Sequence, residues 1–124
     1  MKSFVSNIEE KTFSNNNFRE VLFTTERTQL VVMSLKPNEE IGMEIHEADQ
    51  FLRFEAGVGK VILAGEEYTV KDGFAVIIPA GTEHNVINNS KENDLKLYSI
   101  YSPPQHPSDT VHATKVEADM AEDE

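Results

Sequence analysis

Between residues 18 and 101 the chain is a succession of short runs rich in β-branched and aromatic residues, each ended by Gly, Pro, Asn or Asp. The spacing predicts strands over Phe18 to Thr25, Thr28 to Leu35, Ile41 to His46, Gln50 to Glu55, Lys60 to Leu63, Glu67 to Val70, Phe74 to Ile78, Asn85 to Ile87 and Leu95 to Tyr101. The breaks, such as Lys36-Pro37-Asn38, Ala64-Gly65-Glu66, Lys71-Asp72-Gly73 and Pro79-Ala80-Gly81, hold the residue types that tight turns require. Strands this closely spaced, with no long helical pattern between them, argue for an all-β fold, an antiparallel sandwich or barrel.

The 124 residues amount to a single domain. We expect the barrel over 18–102, after an N-terminal segment, 1–17, that is packed on it or exchanged with a second copy. The tail, 103–124, opens with Pro103-Pro104 and closes on Glu122, Asp123 and Glu124. It is expected to be partly helical or disordered, with a short helix over Thr110 to Met120, Asp109 as its cap, and about five frayed residues at the end. Absence of cysteine excludes disulfide scaffolds, thiolate metal sites and cysteine nucleophiles. Eleven basic against 22 acidic residues leave a formal charge of −11. A surface of that sign repels phosphate backbones and anionic lipid, so neither a nucleic acid nor a membrane is expected as partner. No export or membrane-spanning segment is visible, and the cytoplasm is the expected compartment.

Two of the four histidines stand in informative surroundings. Alternation along the predicted third strand puts Glu44 and His46 on one face, and Gln50 opens the returning strand. His84 follows the Pro79-Ala80-Gly81 turn and shares its face with Val86. Glu44-x-His46-x3-Gln50-x6-Gly57 has the spacing of the first cupin motif, with Glu at the first His position and Gln at the Glu position. Gly73, Pro79, Gly81, His84 and Asn88 match every fixed position of the second. The chain therefore resembles the cupin superfamily, as a small single-domain member. The resemblance implies a jelly-roll barrel, a double-stranded β-helix, with a divalent metal in its wider mouth held by Glu44, His46, Gln50 and His84.

Two imidazoles, a carboxylate and an amide oxygen form a set that suits iron, manganese, nickel, cobalt or zinc. A buried Glu44–His46 pair without metal is the plain alternative, and Gln50 would then serve as a hydrogen-bonding residue. His106 and His112 flank a Pro-rich loop and read as surface residues. Arg53 lies opposite Gln50 and reads as an ion-pair partner, while Tyr98 and Tyr101 read as core.

Two functions are open. One is a metal-dependent enzyme, of isomerase, lyase or dioxygenase type, with the metal as Lewis acid and Glu44 as the candidate catalytic base for a small carbonyl or carboxylate molecule. The other is a non-catalytic binding or sensor module for a small molecule. Leu52, Phe54 and Val86 give an apolar lining, and no Arg or Lys reads as inward, which argues against a phosphate clamp. Ile41, Met43, Ile45 and Phe51 point outward, so their face is expected to be covered by a second subunit in a homodimer, by Phe4, Val5, Ile8 and Phe13, or by both.

Overall fold

The computed structural model describes residues 2–122. Its strands are β1 (Arg19–Thr24), β2 (Gln29–Leu35), β3 (Asp49–Ala56), β4 (Val58–Leu63), β5 (Glu66–Lys71), β6 (Ala75–Ile78), β7 (His84–Ile87), β8 (Leu95–Ser102) and β9 (Val111–His112). Helix α1 (Ile8–Ser14) precedes them and α2 (Lys115–Glu122) follows. One sheet has the order β6-β3-β8-β2-β1-β9, the other β5-β4-β7, and every pairing is antiparallel. The fold is the all-β jelly roll that the turn-punctuated pattern predicts.

Alternation decides what goes inside. Across the large sheet Phe54 pairs with Leu97, Leu97 with Met33, and Met33 with Arg19. One step along, Leu52, Ser99, Val31 and Val21 form the next inward row. Val61, Val70 and Val86 of the small sheet join them in a single core cluster. A third row, Gln50, Tyr101 and Gln29, is polar, so the interior changes from an apolar floor to a polar mouth within a few residues of each strand.

Three expectations require correction. Ile41 to His46 is not a strand: only the isolated bridges Glu40–Ile87 and Glu44–His84 form there. Gly42 takes φ +107°, and its N–H donates to Asn85 Oδ1 at 2.9 Å, so the chain turns where a strand would continue. The N-terminal segment contains α1, capped by Asn7 Oδ1, which accepts from the Glu10 N–H. The tail helix begins at Lys115, not at Thr110. The Thr114 hydroxyl accepts from Glu117 N–H, and residues 111–112 instead extend the sheet as β9, paired with β1. Helix α2 runs to Glu122, and residues 123 and 124, where part of the expected frayed end falls, lie outside those described. Among the described residues no helix is long and apolar enough to cross a membrane.

Candidate functional site

The second turn builds one side of the mouth. Gly81, at φ +83°, lets Pro79-Ala80-Gly81 reverse tightly, and the Asp49 carboxylate accepts the Ala80 N–H at 2.8 Å. Gly81 N–H then donates to the His46 carbonyl at 2.9 Å. Beyond the turn, Glu44 and His84 exchange both backbone hydrogen bonds at 2.9 Å, which places their side chains beside each other.

The structure brings Glu44, His46 and His84 into direct contact and joins Gln50 to them through Tyr101. His46 Nε2 lies 2.9 Å from Glu44 Oε2, and the His46 and His84 rings meet edge to face at 4.9 Å. His84 Nδ1 donates to the Thr82 carbonyl at 2.9 Å, which fixes the orientation of the ring. Gln50 donates its amide to the Tyr101 hydroxyl at 3.1 Å and to the Ser99 hydroxyl at 3.3 Å. Among these four residues two buried side-chain atoms have no partner: His46 Nδ1 and Gln50 Oε1. An unmet buried polar atom costs about 1–3 kcal/mol, so this pocket is built around something that these side chains do not supply themselves.

Donor chemistry and spacing bear differently on a metal. The kinds of donor fit a divalent ion, and the Thr82 carbonyl orients His84 as an outer hydrogen bond orients a metal-binding imidazole. The 2.9 Å between His46 and Glu44 is an ordinary hydrogen-bond length. Among the described residues, however, no group of three or more His, Asp or Glu is spaced to hold a metal ion.

Three residues read as peripheral belong to the same region. Arg19 is inward-facing and 3% exposed, which corrects the expectation that no cation points inside. His106 is carried in by the tail: Gln29 accepts the N–H groups of Gln105 and His106 at 3.1 and 3.0 Å and donates to the His106 carbonyl at 2.8 Å. Its ring packs edge to face on Tyr101 at 5.4 Å, and Tyr101 in turn meets His46 at 5.7 Å. His112, on β9, takes a 3.4 Å hydrogen bond from Arg19. Arg53 behaves as alternation suggests, 3.0 Å from Glu55 and away from the mouth.

Electrostatics follows from burial. Desolvation works to raise Glu44, but the His46 hydrogen bond and the nearby charges of His46, Arg19 and His84 outweigh it and hold the carboxyl below its ordinary value. Burial pushes the Tyr101 phenol well above its usual range. Burial and then the Arg19 charge bring the His106 imidazole down to about 3, so it is neutral near pH 7.

The family model described as "Cupin domain" matches residues 31–101, a stretch that contains both motifs. This chain belongs to the cupins. The uncharacterized protein YrkC of Bacillus subtilis is 49% identical, over 98% of this chain and 69% of its own length. An uncharacterized protein of Acanthamoeba polyphaga mimivirus is 44% identical, over 84% of this cupin and 68% of its own length. The crystal structure of BH2720 from Bacillus halodurans superposes with a TM-score of 0.92 at 48% identity, covering 97% of this chain and 95% of that one.

Proposed function

We propose that this cupin is a metal-dependent enzyme that handles a small carbonyl- or carboxylate-bearing molecule, with Glu44, His46, Gln50 and His84 as the metal's ligands. The observation that carries the reading is the pair of buried, unpartnered atoms, His46 Nδ1 and Gln50 Oε1, within the proposed ligand set. A divalent ion of the iron, manganese, nickel, cobalt or zinc type would supply Lewis acidity to a bound oxygen. The protein's own groups do the rest. Glu44 is ionised at neutral pH and anchors His46. Its lowered basicity means that it takes a proton only after that hydrogen bond breaks, a release that adds to the one from the metal which a base at this position already needs. Leu52, Phe54 and Val86, buried below, exclude water from the floor.

A second reading, a metal-free binding module, draws on the Glu44–His46 contact as an ion pair complete in itself. Metal content by elemental mass spectrometry, on untagged protein and on His84→Ala and Glu44→Gln, separates the two. We expect near-stoichiometric metal in the parent protein, loss in His84→Ala and a smaller loss in Glu44→Gln. No metal in the parent protein, even after anaerobic reloading, selects the binding module.

A further inference from the structure

A second unmet requirement lies behind Tyr101, outside the four proposed ligands. Arg19 is a buried guanidinium with one long hydrogen bond, 3.4 Å to His112 Nδ1, and its Nε has no partner. Among the described residues it forms no ion pair with a carboxylate. The ionised Glu44 lies within electrostatic reach and the Phe18 ring lies 5.4 Å from the guanidinium carbon, but among the described residues no anion hydrogen-bonds the guanidinium, which leaves it free to bond one. The guanidinium lines a cavity of about 170 Å³ together with His106, Pro107, Thr110, His112 and Ala121. His106 Nε2, likewise buried, also lacks a partner.

We propose that this cavity is a carboxylate subsite, in which Arg19 grips the carboxylate of a small monoanionic ligand. The proposal rests on the small-molecule reading above and names its substrate class. The volume holds a group of a few heavy atoms, and the guanidinium fork matches the two oxygens of a carboxylate. Arg19 is the sole Lys or Arg among the lining residues, so one negative charge balances it, whereas a phosphate dianion in a protein of formal charge −11 would be left in excess. The Tyr101 ring lies 5.7 Å from that of His46 and 5.4 Å from that of His106, so one buried aromatic residue packs against both the cluster and the edge of this cavity.

The test is calorimetric titration of pyruvate and of methyl pyruvate into chelator-treated protein and into metal-loaded protein, using the full chain, Arg19→Met and Arg19→Lys. Pyruvate should bind the parent protein in both metal states, at least about tenfold more weakly to Arg19→Met and by an intermediate factor to Arg19→Lys. Methyl pyruvate should not distinguish the variants. Equal pyruvate affinity for the parent protein and Arg19→Met overturns the subsite and leaves the metal reading intact. Arg19-dependent binding by a protein that takes up no metal does the reverse. If Arg19→Met fails to fold, the parent protein alone decides: formate should raise its melting temperature above that in chloride at equal ionic strength, and no difference overturns the proposal. A chain ending at residue 121 checks the remaining source of carboxylates. Pyruvate binding that is unchanged there supports a soluble ligand. Binding that emerges only after that truncation shows that the chain's own acids fill the cavity, and overturns it.

Discussion

His106 ties a side chain to a measurable pH dependence. Its pKa lies near 3 in the folded protein and near 6.5 once unfolded, so between those values the unfolded chain binds the extra proton. Stability therefore falls as pH drops from about 6.5 towards 3, by at most about 1.4 kcal/mol per pH unit from this group. Glu44, whose folded pKa is lowered, adds a loss of the same sign at lower pH, beneath the ordinary carboxylate value of 4.5. Urea denaturation at pH 7, 6 and 5 should show the decline in the parent protein and a shallower one in His106→Gln; parallel slopes would contradict the burial of this imidazole. At this scale the sequence was legible where chemistry is spaced along one stretch of chain. Motif intervals alone single out Glu44, His46, Gln50 and His84, and three of these meet in the structure. Arg19 was not legible, because apolar residues stand on both parities of its run, Val21 and Phe23 against Phe18 and Leu22. His106 left no local signal: what brings it inside is Gln29, 77 residues away.

At the scale of elements, strands were legible because their alternation is independent of partners, and the misses have local causes. The run from Ile41 to His46 alternates like a strand, yet the left-handed Gly42 breaks it, and the sequence does not say whether a glycine there will bend or extend. Helix α1 is seven residues long and β9 two, too short for any periodicity to declare itself. Motif glycines acquire physical reasons. Gly57, at φ +92°, joins β3 to β4 where an added Cβ would collide with the Asp94 carbonyl oxygen of the loop before β8. Gly57→Ala should therefore destabilise the fold by about 2 kcal/mol or more, read as a lower urea midpoint with unchanged slope. Gly65→Ala, with an open Cβ position at φ +85°, incurs the backbone strain alone and should cost less.

For the whole molecule, the outer face of the large sheet carries an apolar row. Ile77 pairs with Phe51, Phe51 with Ile100, Ile100 with Leu30, and Leu30 with Phe23. Phe4 stacks on Phe23 at 5.5 Å at one end of this row, but Val5 and Phe13 are exposed and the N-terminal segment leaves Met43 and Ile45 uncovered. At the other end Ile77 is 69% exposed, and Ile45 and Met43 of the preceding loop are also exposed. We propose that a second copy covers this end. Light scattering should give twice 14.0 kDa for the parent protein, and Ile77→Asp with Ile45→Asp should give the monomer mass. A parent protein that is monomeric at every concentration would leave the face uncovered and refute the dimer.

Gln29 has a consequence of another kind. Every hydrogen-bonding position of its amide is used: Nε2 donates to Thr24 Oγ1 and the His106 carbonyl, and Oε1 accepts from Gln105 and His106 N–H. The clasp reads only the backbone of the arm at 105 and 106, never its side chains. The barrel thus holds this strand of tail by its peptide groups and leaves what the tail carries free to vary. A pocket assembled in this manner is a socket with a replaceable insert, able to change what it selects through a few residues after Ser102 while the machinery on the barrel stays as it is.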